Sequence, residues 1–87
     1  VSKSAVIFKS GFCSYCRMVM PDFHRLAEEF KDNVDFREVD VTQDANAAVE
    51  NKVMSLPTVI LKRDGAEFRR LTGSITRERI EQALKEL

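Results

Sequence analysis

The feature that most restricts the fold of this chain lies in its first thirty residues. There a short apolar run stops at a turn, and two cysteines open a long helical pattern. Ala5-Val6-Ile7-Phe8-Lys9, bounded by Ser10-Gly11, reads as a buried strand followed by a turn. From Ser14 to Phe30 the apolar residues Met18, Val19, Phe23, Leu26, Ala27 and Phe30 recur near helical spacing, which predicts a helix with one face inward. Cys13 then sits at a helix N-terminus, just past a strand end. Pro21 falls inside the helical pattern, where it deletes one backbone hydrogen bond and crowds the preceding turn, so a single kinked helix is expected.

The remaining pattern is equally compact. Val34 to Val41 alternates, with Val39 and Val41 on one side and Phe36, Glu38 and Asp40 on the other, and predicts a second strand. A short helix is expected from Ala45 to Lys52, capped by Asp44 or Thr42. Pro57 to Arg63 is β-branched and apolar in its centre, and Asp64-Gly65 supplies a tight turn into a strand over Glu67 to Leu71. Thr76 is placed as the N-cap of a last helix, with Ile75 and Ile80 as a hydrophobic staple and Ile80, Ala83, Leu84 and Leu87 on one face. The order β-α-β-α-β-β-α predicts an α/β fold with a mixed four-stranded sheet flanked by three helices. Strands joined through a helix are expected to run parallel, and the last two to form an antiparallel hairpin.

Length and charge narrow the function. The 87 residues allow one domain, spanning 1–87, with a modest core. Lys plus Arg and Asp plus Glu balance at 14 each, which argues against nucleic acid or an anionic membrane as partner. Arg69, Arg70, Arg77 and Arg79 are interleaved with Glu67, Glu78 and Glu81, a solvated mixed-charge face rather than a basic patch. No apolar run is long enough to cross a bilayer, and Val1 to Ala5 carries no signal-peptide apolar stretch, so a soluble cytoplasmic protein, working as a monomer, is expected.

Cys13 and Cys16 are too few for a disulfide scaffold, and their close spacing points to chemistry. A helix N-terminus favours a thiolate at Cys13, and Cys16, about one turn deeper, can reach its sulfur to resolve a mixed disulfide. Cys13 is therefore read as the nucleophile and Cys16 as the resolving thiol. A structural zinc site needs four ligands, and the only other soft ligand is His24, well down the helix; no metal is expected. His24 itself, lacking a placed partner, reads as a solvated helix residue.

Phe12-Cys13-Ser14-Tyr15-Cys16 after a strand, Pro21 inside the helix, and Ser55-Leu56-Pro57-Thr58 before a later strand together resemble the thioredoxin superfamily over nearly the whole chain. The resemblance implies a cis peptide bond before Pro57 and a place for it beside the dithiol, with Leu56 positioned to pair with an extended substrate segment. It also implies that Gly73, in Thr72-Gly73-Ser74, lies near the cysteines. Phe12, Tyr15, Met54, Leu56, Pro57 and Gly73 are accordingly the expected substrate-contact residues. The short form and the tyrosine of Cys-Ser-Tyr-Cys resemble glutaredoxins, whereas Leu56-Pro57-Thr58 and Thr72-Gly73-Ser74-Ile75 are closer to thioredoxins.

One departure touches mechanism. The aspartate that thioredoxins bury before the first cysteine is Ile7 here, and the accompanying lysine corresponds to Glu38. Glu38, partly desolvated on the inner side, is the expected substitute proton acceptor for Cys16. The resemblance thus implies a thiol-disulfide oxidoreductase acting on protein disulfides, re-reduced by a thioredoxin-reductase-type flavoprotein, with no bound cofactor beyond the redox-active Cys13/Cys16 pair. The alternatives are a glutathione-coupled glutaredoxin and, in a different class, a noncatalytic module that binds an extended peptide in the same groove.

Overall fold

The structure, a computed structural model, describes residues 2–87. Seven elements follow the anticipated order: β1 (Lys3–Lys9), α1 (Ser14–Phe30), β2 (Asp35–Asp40), α2 (Ala45–Glu50), β3 (Thr58–Arg63), β4 (Ala66–Leu71) and α3 (Arg77–Glu86). They build one four-stranded sheet in the order β2-β1-β3-β4. β1 runs parallel to β2 and antiparallel to β3, and β3 is antiparallel to β4. The expectation that strands joined through a helix run parallel therefore holds across α1 and fails across α2. β2 and β3 lie on opposite sides of β1 and point in opposite directions, because β2 ends beside Lys9 and β3 begins beside Phe8, so the connection through α2 stays at one end of the sheet.

Alternation along the strands divides the apolar residues between two faces. Ala5 and Ile7, facing Leu61 and Val59 across the β1–β3 ladder, join Val19, Phe23 and Leu26 of α1 and Ile80, Ala83, Leu84 and Leu87 at the C-terminal helix in one buried cluster. Each large side chain so buried contributes about 1.5–3 kcal/mol of transfer free energy. Phe36 of β2 reaches the same cluster, with its ring edge-on to Phe23 at 5.5 Å. Phe8 and Ile60 are buried on the opposite face. Thr58 is buried as well, and its hydroxyl donates to the Ser55 carbonyl at 2.7 Å.

α1 is continuous through Pro21, and its buried residues Cys16, Val19, Phe23 and Leu26 form a single stripe. Met18, counted on the inner face from its spacing, is exposed instead, being about 100° around the helix from Val19. α2 is shorter than expected. It is capped by Asp44, whose carboxylate accepts the Ala47 N–H at 3.1 Å, while Thr42 is engaged by Asp40. It stops at Glu50, where the Asn51 side chain donates to the Ala47 carbonyl and Lys52 turns to a φ of 55°. β1 begins two residues earlier than its apolar run, since Lys3 and Ser4 pair with Arg63 and Lys62 through backbone alone. Asp64 and Gly65 both have positive φ, 52° and 83°, the geometry of a two-residue hairpin turn. Thr76 caps α3 by accepting the Arg79 N–H, and Arg63 donates to the carbonyls of Glu86 and Leu87 at its other end.

Candidate active site

The turn after β1 delivers Cys13 to the N-cap of α1. Its φ of −97° and ψ of 112° are extended, as a cap residue requires, and its Sγ accepts the backbone N–H of Cys16 at 3.1 Å. The sulfur thus occupies the place of the oxygen in an ordinary Ser or Asp cap, facing the positive end of the helix dipole. Both thiols are free, Cys13 half-exposed and Cys16 buried at 1% accessibility. Burial first, and then the hydrogen bond to Cys13, push the Cys16 thiol up from 9.0 to about 11, with a backbone hydrogen bond at Ser10 pulling the other way. One sulfur therefore faces outward in a charge-stabilising position and the other is held protonated behind it.

The Leu56–Pro57 peptide bond is cis, and Pro57 is buried while Leu56 is half-exposed. The connection leading to them is anchored from β4. The Arg70 guanidinium donates to the carbonyls of Asn51 and Lys52 at 2.8 and 3.1 Å and is held in turn by Glu67. Gly73 adopts a φ of 73°, a conformation that suits glycine, in the loop between β4 and α3. Two adjoining depressions share Tyr15, Gly73 and Ser74. One, of about 290 Å³, is completed by Ser55 and Leu56. The other, of about 470 Å³, runs along Met18, Asp22, Pro57 and Ile75 to the first residues of α3.

Of the expected contact residues, Tyr15, Leu56, Pro57 and Gly73 come together along this groove. Phe12 and Met54 do not line it and project into solvent at 92% and 93% accessibility. The sequence reading missed Met18, Ser74 and Ile75. Met18 lies three residues after Tyr15, so helical geometry places the two side by side once Tyr15 is given to the groove.

Glu38, the expected proton acceptor for Cys16, has two basic partners. It does share the α1 side of the sheet with Phe36, but β2 is an edge strand, and the carboxylate remains 37% exposed. It meets His24 Nε2 at 2.7 Å and Lys9 Nζ at 3.4 Å. Burial works to raise this carboxyl, yet the hydrogen bond and charge of His24, with those of Lys9, outweigh it and hold it below its ordinary value. The Cys16 thiol, for its part, is shifted by burial and by Cys13. His24 has the partner that sequence did not place. Among the described residues no group of three or more His, Cys, Asp or Glu is arranged to hold a metal ion, and no helix is long and apolar enough to cross a membrane.

A dithiol split between a helix cap and the first buried position of the same helix, on a mixed sheet with a cis proline bordering the adjacent groove, defines a protein of the thioredoxin-fold class. The family model described as Thioredoxin matches residues 2–86, and the chain belongs to that family. It is 38% identical over 69 residues to thioredoxin H2 of Arabidopsis thaliana, covering 79% of this chain and 51% of that protein. It is also 38% identical over 71 residues to a thioredoxin of Mycolicibacterium smegmatis, covering 79% and 63%. The chain thus spans between half and two thirds of the length of these curated relatives. Mitochondrial thioredoxin 3 of Saccharomyces cerevisiae, solved in its oxidized form, superposes with a TM-score of 0.90 at 28% identity, covering 99% of this chain and 79% of that one.

Proposed function

We propose that this chain is a thiol-disulfide oxidoreductase that reduces disulfides in protein substrates through the Cys13/Cys16 couple. The observation that carries the reading is the placement of the two sulfurs: Cys13 Sγ capped by the Cys16 N–H at 3.1 Å, and Cys16 buried behind it. The Cys13 thiolate attacks one sulfur of the substrate disulfide, forming a Cys13–substrate bond and releasing the other substrate sulfur as a thiolate that takes up a proton. Cys16 then loses its proton and attacks Cys13 Sγ. A Cys13–Cys16 disulfide forms, the mixed disulfide breaks, and the second substrate sulfur leaves and is protonated. The substrate gains two electrons and two protons, and the protein loses the same.

Membership of the thioredoxin family supports a disulfide-bearing protein as substrate and a thioredoxin-reductase-type flavoprotein as donor. The cytoplasm, where thiols are kept reduced, is the setting in this reading. Glutathione is the competing donor. Tyr15, Leu56, Pro57 and Gly73 serve in this reading as the wall along which an extended substrate segment lies, with Phe12 and Met54 as apolar contacts at its margin.

Trapping tests the assignment. A Cys16→Ser protein should accumulate a mixed disulfide on Cys13, visible by mass, whereas Cys13→Ser should form none and lose turnover. Trapping by the second variant and not the first would reverse the roles. Retention of partner binding by a protein lacking both cysteines, with no redox cycle in the parent, would favour the binding module.

A further inference from the structure

Four arginines lie in β4 or shortly after it, and three of them find carboxylates. Arg69 pairs with Glu86, Arg70 with Glu67, and Arg77 with Glu29 and Glu81. Arg79 differs. Among the described residues it has no ion pair, and its Nη1 donates instead to two backbone carbonyls, that of Thr72 at 3.2 Å and that of Ser74. These carbonyls flank Gly73, the residue with a φ of 73°.

The loop is tethered at both ends, by Leu71 buried at the end of β4 and by Ile75 packed against the core, while residues 72–74 between them are exposed. Among the described residues Arg79 is the one side chain that hydrogen-bonds to this exposed span, and its own backbone is fixed by the Thr76 cap at 3.2 Å. Gly73 and Ser74 line both depressions of the groove, whereas Arg79 lines neither and instead lines a separate depression with Arg69, Leu71 and Gln82. In a trans peptide the N–H points opposite to the C=O of the same plane. With the Thr72 and Ser74 carbonyls turned to the guanidinium, the Gly73 and Ile75 N–H groups are turned away from it. Neither N–H donates to a backbone acceptor among the described residues.

We propose that Arg79 is a positioning residue for protein substrates: by holding the Thr72 and Ser74 carbonyls from behind, it presents the Gly73 and Ile75 amides to the backbone of an extended segment in the groove. This rests on the oxidoreductase reading above and specifies how that site tells a polypeptide disulfide from a small one. Arg79 takes no part in the sulfur chemistry, so a small disulfide that reaches Cys13 without filling the groove does not sense it.

Stopped-flow second-order rate constants for the reduced protein with insulin and with a dipyridyl disulfide test the idea. Arg79→Ala should slow attack on insulin by about three- to tenfold, the equivalent of one hydrogen bond, and leave the small disulfide within about twofold. Arg79→Lys, whose ammonium can serve both carbonyls, should recover most of the loss. An equal fall with both probes, or no fall with insulin, would overturn the proposal while leaving the oxidoreductase reading intact. A parent protein that reduced neither probe would remove that reading and this inference with it.

Discussion

Cys16 carries a stability signature that follows from its burial. The folded protein holds its thiol at about 11, two units above the ordinary 9.0, whereas the unfolded chain releases the proton near the ordinary value. Below pH 9 both states are protonated and the contribution is fully present. Between pH 9 and 11 the unfolded state ionises while the folded state does not, so stability falls as pH rises and the contribution is lost through pH 11. Two units correspond to about 2–3 kcal/mol, at a limiting slope of about 1.4 kcal/mol per pH unit. Guanidinium titrations of the reduced protein at pH 8, 9, 10 and 11, run beside Cys16→Ala, isolate this term, because all other titrations are common to both. The difference in unfolding free energy between parent and variant should shrink by that amount across the window. A difference that stays constant with pH would show that the thiol is not desolvated in the folded state, and the proton inventory of the mechanism would fail with it.

Two further substitutions test separate parts of the structure. Glu38→Gln should cost less than about 1 kcal/mol, as expected for a partly exposed ion pair, and should leave the pH profile of mixed-disulfide resolution unchanged; an inflection that disappears in the variant would restore Glu38 as the base. Phe23→Ala removes a ring at 1% accessibility that packs edge-on against Phe36, and should lower the unfolding free energy by about 3–5 kcal/mol in a urea titration, with a value below 1 kcal/mol excluding the proposed core.

The element order was legible because each element carries a local signal: an apolar run ended by Ser10-Gly11, a helical stripe from Cys16 to Leu26, Asp64-Gly65 at the hairpin, Thr76 at the last cap. The dithiol was legible for the same reason, since strand, turn and helix N-terminus are contiguous in the chain. What sequence left dark depends on pairings between distant segments. Whether β3 would run with or against β2 is decided by the end of the sheet at which α2 returns the chain, which no local pattern encodes. His24 of α1 and Glu38 of β2, 14 residues apart in the chain, meet only in the folded structure. Alternation put Glu38 on the correct face but could not say that β2 is an edge strand, which leaves the carboxylate wet and within reach of Lys9. Arg79 read as one of four similar charges, and only the loop it grasps sets it apart.

The proposed chemistry requires that Cys13 and Cys16 form a reversible couple. Equilibration against defined thiol–disulfide buffers, with alkylated thiols counted by mass, should give one two-electron transition in which both cysteines are lost together. A potential near −270 mV would match a thioredoxin-like reductant, and one near −200 to −230 mV a glutathione-coupled protein. Two cysteines that remain alkylatable at every poise, or that oxidise independently, would contradict the central claim.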